Sequence, residues 1–338
     1  MSRSQWGRAL GLFLLALSTT FFACQKPPVS KPLVPEASPQ PTATLPNQTV
    51  AEQPTPQVSI DRLMGHMAAL NSERFTERDR QRTRDYLTQV LQNDGWVVTE
   101  QTFNTGVNLV AQRPDTKPNA GKILVGAHYD SIKGSPGADD NASGVAAALE
   151  VATLLGQRSS PRNLQIVLFD QEEAGLVGSY AYAEKAQNIE NVDGVVILEM
   201  LGYACHTVGC QKPAPGLSIA LPSDVGDFVA VVGDAEHKPL LEAFQEPNPN
   251  LPKTVTVPVP VKGILSPILL LSDHTPFWYK NVGAVMVTNT AFLRNPHYHR
   301  RSDLPSTLDR TFFRGSTQIV VDTTAALLDG RTSLKTPR

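Results

Sequence analysis

The sequence has almost no net charge and no basic run. Its 30 Lys and Arg against 32 Asp and Glu leave a formal net charge of −2. Proteins that bind nucleic acid or an acidic membrane surface usually carry a clear positive excess, and no segment here interleaves basic with aromatic side chains. The composition therefore gives no case for nucleic acid as a partner. With 338 residues, 41% of them hydrophobic, the chain can bury one large core or two small ones.

Cysteine is also scarce, with only Cys24, Cys205 and Cys210 present. Cys205 and Cys210 are close in sequence, and outside the cytosol such a pair can form one small disulfide. A zinc knuckle needs more ligands than this pair offers, although His206 lies between the two cysteines. We therefore expect a disulfide at this pair rather than a metal.

The sequence has one long hydrophobic run, residues 9–23, and it is short for a membrane-spanning helix, which needs about 20 residues. Arg3 and Arg8 precede the run, and a basic start followed by an apolar stretch is typical of a targeting segment. We therefore predict a signal peptide over residues 1–23. The alternatives to a signal peptide of the lipoprotein type are an uncleaved anchor and an ordinary secretory signal.

The run ends at Ala23-Cys24, which resembles a bacterial lipobox, although Phe21 and Phe22 depart from its usual pattern. The resemblance implies that Cys24 is lipidated and becomes the first residue of the mature chain. We expect a protein outside the cytoplasm that is lipid-anchored at the cell envelope, or otherwise secreted. It would touch the membrane only through Cys24 or the N-terminal anchor. Gln25 favours the outer membrane if the cell is Gram-negative.

Residues 24–57 are rich in Pro, Thr, Ser and Gln and contain almost no large apolar side chain. Such a composition cannot bury enough surface to offset the entropy of ordering, so we predict a disordered tether. The remaining residues, 58–338, would form the globular domain that the tether holds away from the membrane.

Within residues 58–338, apolar runs without polar alternation are separated by segments with helical spacing. Such runs indicate strands that are buried on both faces, as in a mostly parallel sheet covered by helices. We therefore predict a single α/β domain with a central mixed, mostly parallel sheet of about eight strands flanked by helices. The predicted strands are 96–103, 107–113, 122–127, 164–170, 192–200, 217–221, 254–261 and 284–290. The predicted helices are 60–70, 76–92, 142–155, 177–187, 226–233, 238–245, 273–279 and 311–328.

Polar side chains cluster where four of these strands end. In open α/β sheets the functional site lies beyond the carboxyl ends of the strands. The sequence places histidines and carboxylates at those ends, so we expect them to converge on one site. They are His128 and Asp130 after strand 122–127, Glu172 and Glu173 after strand 164–170, Glu199 at the end of strand 192–200, and His299 after strand 284–290.

The loop after strand 122–127 also carries two adjacent carboxylates, Asp139 and Asp140. Neighbouring carboxylates repel each other and resist burial unless a cation or hydrogen-bond donors compensate. Nitrogen and carboxylate ligands without thiolate suit Zn²⁺, with Co²⁺ and Mn²⁺ as alternatives. Two such ions about 3.5–4 Å apart typically share a bridging carboxylate. Five ligands could fill the pair and leave Glu172 free as a general base: His128, Asp140, Glu173, Glu199 and His299.

Six segments together resemble the secreted co-catalytic zinc aminopeptidases, whose clan includes glutamate carboxypeptidase ectodomains and glutaminyl cyclases. The segments occur in family order with family-like spacing over roughly residues 60–330. The joint match is therefore specific, although each piece alone would be weak. The segments are GAHYDS (126–131), PGADDNASGVAAALEVA (136–152), FDQEEAGLVGS (169–179), LEM (198–200), SDHTPFW (272–278) and NPHYHRRSDLPSTLD (295–309).

The resemblance implies two zinc ions per chain and a role for each site residue. It also implies a cis peptide bond between Asp139 and Asp140, with Asp139 acting as a conformational partner rather than a ligand. His128 and Glu199 would hold one zinc, Glu173 and His299 the other, Asp140 would bridge both, Glu172 would be the general base, and Asp130 would orient His128.

The sequence departs from the family pattern at one position and offers a rival ligand at another. The family's aminopeptidases usually carry Asp where this chain has Glu199. His297 lies two residues before His299, and in an extended segment both side chains would point the same way. The family pattern selects His299.

The resemblance implies a zinc-dependent exopeptidase that acts on peptide substrates, with aminopeptidase as the preferred activity. One alternative is acyl transfer with a single zinc, as in the glutaminyl cyclases. Another is carboxypeptidase specificity, which needs a basic residue to recognise a terminal carboxylate; the candidates are Lys253, Lys262 and Arg294. A tethered binding domain without catalysis is the third alternative.

Overall fold

The computed structural model describes residues 54–216, 221–245 and 248–334. The predictions of a signal peptide and a lipidated Cys24 lie outside these residues. The same holds for most of the predicted tether and for most of the strand predicted at 217–221.

The described residues form one mixed sheet of eight strands, in the order β1-β2-β4-β3-β5-β8-β6-β7. The four central strands, β4, β3, β5 and β8, are mutually parallel. Antiparallel pairs join β1 to β2, β2 to β4 and β8 to β6, and β7 is parallel to β6. The predicted α/β fold class is confirmed. The strands are β1 (Val97–Phe103), β2 (Gly106–Gln112), β3 (Lys122–His128), β4 (Asn163–Phe169), β5 (Val192–Glu199), β6 (Val229–Asp234), β7 (Thr254–Val259) and β8 (Ala284–Thr288).

Both faces of the sheet are buried because successive side chains of a strand point to opposite faces. In β3, Ile123 and Val125 enter one apolar core, whereas Leu124 between them enters the other. The first core contains residues of α1, α2, α3, α6 and α8, and the second contains residues of α4 and α7. The helices are α1 (Ile60–Ala69), α2 (Glu77–Asn93), α3 (Gly144–Leu155), α4 (Val177–Ala183), α5 (Ala186–Ile189), α6 (Lys238–Glu242), α7 (Thr275–Tyr279) and α8 (Arg310–Leu328).

Side-chain caps define where the longest helices begin. Thr76 accepts a hydrogen bond from the N–H of Asp79, whose carboxylate accepts the N–H of Thr76 in return, so α2 begins with a capping box. Asp309 accepts the N–H of Phe312 at 2.9 Å and begins α8. These caps satisfy backbone donors that the first turn of a helix leaves free.

One predicted helix is wrong, because residues 229–234 form strand β6 rather than a helix over 226–233. The run of Val229, Val231 and Val232 is buried and hydrogen-bonded on both sides, to β7 and to β8. β-branched side chains suit a buried strand, and the short run carried no helical periodicity that could decide against it.

The predicted disulfide is confirmed, since Cys205 and Cys210 are bonded to each other. Cys205 also pairs with Gly226 through an isolated antiparallel bridge, which ties this loop to the segment that leads into β6.

No helix in the described part of the chain is both long and apolar enough to span a lipid bilayer.

Candidate metal centre

The parallel strands β4, β3, β5 and β8 bring their carboxyl ends to the same edge of the sheet. His128 is the last residue of β3, and Glu199 is the last residue of β5. Glu172 and Glu173 follow β4, and His299 lies in the loop after β8. The expected convergence of these strand ends is therefore observed.

The convergent side chains form two groups that are each compact enough to hold an ion. The first consists of His128, Glu172 and Glu199, and the second of Asp140, Glu173 and His299. Within each group the potential ligand atoms lie within 4.8 Å of one another. The six residues include all five that the sequence nominated as ligands, together with the nominated base.

Asp140 lies between the two histidines. Its Oδ1 is 3.3 Å from Nε2 of His128, and its Oδ2 is 3.2 Å from Nε2 of His299. Glu199 Oε1 is 3.6 Å from the nitrogen of His128, and Glu173 Oε2 is 3.1 Å from that of His299. The two oxygens of one carboxylate thus face the two groups separately.

The donor set and its spacing fit zinc. Ligands about 2.0–2.1 Å from a tetrahedral zinc ion lie roughly 3.3 Å from one another, and the four nitrogen–oxygen separations above are close to that value. Nε2 of both His128 and His299 is buried without a hydrogen-bond partner among the described residues, as expected of ligand atoms. Glu172 Oε2 is farther from His128 Nε2, at 3.9 Å, which separates it from the other carboxylates.

Burial and mutual repulsion shift the carboxyl groups of the centre in different directions. Burial raises the pKa of Glu172 well above its ordinary value, against the charge of His128. Burial also raises the pKa of Glu173 and of Glu199. For Asp140, the close interactions with His128 and His299 outweigh burial and lower the pKa. Asp140 therefore keeps its charge most readily, whereas Glu172 is the carboxylate best suited to take up a proton.

Asp130 supports both the first histidine and the Glu172–Glu173 segment. Its Oδ1 lies 3.3 Å from Nδ1 of His128, on the side of the ring away from the cluster. Its two oxygens also accept the backbone N–H groups of Glu172 and Glu173 at 3.1 and 3.2 Å. One carboxylate therefore orients an imidazole and the segment that carries the two glutamates.

Asp139 is turned away from the cluster and holds neighbouring loops. Its Oδ1 accepts the N–H groups of Gly202 and Tyr203 after β5, and its Oδ2 accepts the side-chain amides of Asn289 and Asn295 after β8. The adjacent residues Asp139 and Asp140 thus have different surroundings. The expected cis bond between Asp139 and Asp140 is wrong by one residue, because the cis peptide lies between Asp140 and Asn141.

Three residues beside the cluster have backbone conformations that side-chain-bearing residues rarely adopt. Gln171, Met200 and His299 have φ of 58°, 56° and 59°. Each belongs to the cluster or stands next to one of its residues, and such conformations persist only where the surroundings enforce them. The chain therefore changes direction sharply where β4 and β5 end and where His299 enters the cluster.

The rival histidine is not part of the cluster. His297 Nδ1 lies 2.9 Å from Ser302 Oγ, and its ring packs edge-on against Tyr203. Sequence reasoning missed Ser272, whose hydroxyl donates to Glu199 Oε2 at 2.7 Å. Ser272 begins the SDHTPFW segment, so the motif was the signal that could have found it.

An apolar cavity of about 120 Å³ opens from the cluster. Asp140, Glu172, Glu173 and Glu199 line its polar end. The other walls are mainly apolar side chains of β6, β7 and β8 and of the turn Pro267–Leu270, among them Ala230, Val232, Val257, Leu269 and Met286.

The three basic residues considered as readers of a substrate carboxylate are not among the described residues that line this cavity. Lys262 pairs with Asp234 at 2.6 Å, and Lys253 is exposed. Arg294 is buried and donates to the backbone oxygen of Phe228 at 2.8 Å. Lys212, which sequence reasoning did not single out, is the basic residue in the described lining.

Two relatives illustrate the sequence comparisons. The Escherichia coli protein YfbL is 35% identical over 259 residues, which cover 71% of this chain and 77% of that protein. The Mycobacterium tuberculosis protein described as a probable lipoprotein aminopeptidase, LpqL, is 38% identical over 91 residues. That match covers 27% of this chain but only 18% of LpqL.

Solved structures with the same fold include aminopeptidases and a glutaminyl cyclase. The Legionella pneumophila aminopeptidase LapA has a TM-score of 0.63 at 19% identity, over 82% of this chain and 73% of its own. BSAP, a zinc aminopeptidase from Bacillus subtilis, has a TM-score of 0.51 at 19% identity, over 69% and 53%. The Macrostomum lignano glutaminyl cyclase has a TM-score of 0.60 at 20% identity, over 80% and 90%. At these identities the likeness establishes the fold alone.

The family model described as Peptidase family M28 matches residues 108–324, more than half of the chain. This segment begins in β2, ends in α8 and contains every candidate ligand. The predicted resemblance to this group of zinc peptidases is confirmed, and the chain belongs to peptidase family M28.

Proposed function

We propose that the protein is a two-zinc aminopeptidase that removes N-terminal residues from peptides. The observation that carries the proposal is Asp140, whose two carboxylate oxygens lie 3.3 Å from His128 Nε2 and 3.2 Å from His299 Nε2. One carboxylate between two separate groups of donors is what a bridged pair of ions requires. Membership of a peptidase family supports hydrolysis as the reaction.

In this proposal each zinc has two ligands of its own and shares Asp140. His128 and Glu199 belong to one ion, and Glu173 and His299 to the other. Glu172 is left free, in keeping with its longer separation of 3.9 Å from His128 Nε2. When bound, zinc supplies Lewis acidity to the scissile carbonyl and makes water nucleophilic at neutral pH.

Glu172 moves the proton in this mechanism. Its raised pKa suits a carboxylate that accepts the proton of the attacking water and then delivers it to the leaving amine. Asp130 keeps this base in place because it accepts the N–H of Glu172 at 3.1 Å while its other contact fixes His128. The side chain of Asp130 therefore positions both the proposed base, Glu172, and the proposed ligand, His128.

The charge of the centre and the shape of the cavity support aminopeptidase specificity. Carboxylates dominate the centre, and their negative potential favours a substrate amine over a substrate carboxylate; they are Asp130, Asp140, Glu172, Glu173 and Glu199. The apolar walls would accept the side chain of the N-terminal residue. Lys212 is the basic residue in the described lining that could bind a terminal carboxylate of a substrate.

A substrate panel tests this function. We expect hydrolysis of leucine and phenylalanine p-nitroanilides. For aspartate p-nitroanilide, kcat/KM should be at least tenfold lower, because burying a carboxylate without a partner costs well over 1.4 kcal/mol. N-acetyl-leucine p-nitroanilide should not be cleaved. Cleavage of an N-blocked peptide at its free C-terminus would contradict the proposal and direct attention to Lys212.

Glutaminyl cyclisation is the second candidate, because the six site segments resemble a clan that includes glutaminyl cyclases. A peptide with N-terminal glutamine separates the two reactions, since cyclisation releases ammonia and leaves the peptide bonds intact. A zinc count near one per chain, together with ammonia release, would favour the cyclase over the two-zinc peptidase.

Zinc uptake should release protons. In the metal-free centre, the interactions of the imidazole with the carboxylates of Asp140 and Glu173 outweigh burial and raise the pKa of His299 to about 10. The charges of Glu172 and Glu199 likewise raise the pKa of His128 well above its ordinary value. Both imidazoles must lose a proton to bind metal, so apparent zinc affinity should fall as the pH is lowered, by about tenfold per proton per pH unit.

Calorimetry in buffers of different ionisation enthalpy measures this release directly. At pH 7 we expect at least the two imidazole protons to be released on full zinc loading. Uptake without proton release, or an affinity that does not change between pH 6 and 8, would contradict the protonated state of the two histidines.

The proposed location is the cell envelope, with Cys24 as a lipid anchor. The support is the lipobox-like end of the N-terminal hydrophobic run and the similarity to LpqL, which is described as a probable lipoprotein aminopeptidase. In the native host we expect wild-type protein in the membrane fraction and Cys24→Ser in the soluble fraction. Equal partition of the two forms would refute lipidation at this cysteine.

A further inference from the structure

Asp303 lies outside the metal cluster but contacts the segment that carries the bridging carboxylate. Its side chain is completely buried. Oδ1 accepts the backbone N–H of Asp139 at 2.9 Å, and Oδ2 accepts that of Asp140 at 3.1 Å. Its backbone oxygen accepts the N–H of Ala138 at 3.2 Å. Three consecutive amides thus bind to one residue, which leaves the Asp140 backbone little freedom to shift.

Asp303 also belongs to the loop that carries His299. Its own N–H donates to the backbone oxygen of Arg300 at 3.0 Å, so residues 300–303 form a turn directly after His299. The Asp303 carboxylate therefore joins two ligands that come from different strand connections, Asp140 after β3 and His299 after β8. These two are candidate ligands of the same ion.

The carboxylate of Asp139 provides a second connection between the same two loops, this time from the Asp140 loop to the His299 loop. Asp139 Oδ2 accepts the side-chain amide of Asn295 at 2.8 Å, and Asn295 Oδ1 accepts the N–H of His297 at 2.8 Å. The two loops are therefore connected twice, once through Asp303 and once through Asp139. We refer to Asp303, Asp139 and Asn295 as the loop clamp.

Arg74 fixes the start of the same segment from another side. Its buried guanidinium donates to the backbone oxygens of Pro136 and Gly137 at 2.6 and 2.8 Å, and to that of Tyr129 at 2.7 Å. Carbonyls of residues 136–137 are thus held by Arg74, while amides of residues 138–140 are held by Asp303. The segment has little room to adjust if one contact is lost.

We propose that Asp303 is a positioning residue for zinc, and that its carboxylate sets the affinity for the ion between Asp140, Glu173 and His299. The inference rests on the proposed two-zinc function. A hydrogen-bonding partner that orients a metal ligand typically contributes 10–100-fold in metal affinity. Asp303 touches neither substrate nor metal in this arrangement, and it acts by holding two ligands at the right separation.

Asp303→Asn is the test variant, because it keeps the shape of the side chain and removes one acceptor and the charge. By calorimetric zinc titration of the metal-free protein, we expect two zinc equivalents in both proteins. One of the two should bind about 10–100-fold more weakly in the variant. The metal-free thermal midpoint and the circular dichroism spectrum report whether the variant is folded.

Asp309→Asn is the matched control. Asp309 also accepts a backbone N–H through its carboxylate, from Phe312 at 2.9 Å, but at the start of α8. It should lower the thermal midpoint without changing either zinc affinity. Equal loss of zinc affinity in both variants, or unchanged affinity in Asp303→Asn, would overturn the inference.

Asn295→Ala keeps the inference testable if Asp303→Asn does not fold. This variant cuts the other half of the loop clamp and should weaken the same zinc equivalent, whereas wild-type zinc affinity in it would overturn the inference. If the wild type binds a single zinc, the two-zinc proposal fails. Asp303→Asn must then weaken that single ion for the inference to stand.

Discussion

Glu172→Gln should lower kcat/KM for leucine p-nitroanilide by about 10²–10⁴-fold while leaving two zinc ions bound. The change removes the group that accepts the proton of the attacking water, and general bases contribute about that factor. The amide has nearly the same size as the carboxylate. The substrate should therefore still bind, and the loss should appear in kcat rather than in KM.

Glu184→Gln is the control for this substitution, since Glu184 is an exposed residue at the end of α4. It should leave both zinc content and kcat/KM unchanged. A Glu172→Gln enzyme with wild-type kcat would exclude Glu172 as the base. Loss of one zinc in Glu172→Gln would instead identify Glu172 as a ligand. Its distance from His128 and Glu199 is short enough for that role.

Asp140→Asn should remove most activity through loss of metal. The amide carries no charge and offers one acceptor oxygen, so it cannot serve the two histidine-containing groups in the same way. Lewis-acid stabilisation is worth several kcal/mol, so we expect a loss of about 10³-fold or more in kcat/KM. Zinc analysis of the dialysed protein should give fewer than two ions per chain.

The control for Asp140→Asn is Asp193→Asn, which removes a surface ion pair with Arg162 at 2.8 Å. A surface pair contributes little to stability, so this variant should keep its zinc and its activity. If Asp140→Asn retained two tightly bound ions, the bridging role would be wrong even if activity were lost.

Most of the fold and the centre could be predicted because both depend on local patterns. Apolar runs such as those of β3 and β4 are buried on both faces, so they lack the alternation of an exposed strand and identify a parallel sheet. The polar residues that end these strands then had to meet, since parallel strands end at one edge. His128 and Glu199, the last residues of β3 and β5, follow from this argument without any knowledge of the loops.

Other features depend on contacts that a linear sequence does not display. The carboxylate of Asp303 binds the N–H groups of Asp139 and Asp140 across more than 160 positions of the chain, with no pattern that links them. The short run that forms β6 had no periodicity, and its strand pairing with β7 and β8 decided its conformation. The apolar cavity walls also come from β6, β7 and β8, so substrate preference could not be deduced before the sheet order was known.

The metal centre is assembled from distant parts of the chain, with His128 contributed by β3 and His299 by the loop after β8. No fragment that stops before His299 contains the second group of donors. Peptidase activity should therefore appear only once the chain has been synthesised beyond His299 and has folded, rather than on a shorter nascent chain. Such late assembly would keep an incomplete chain from cleaving other peptides.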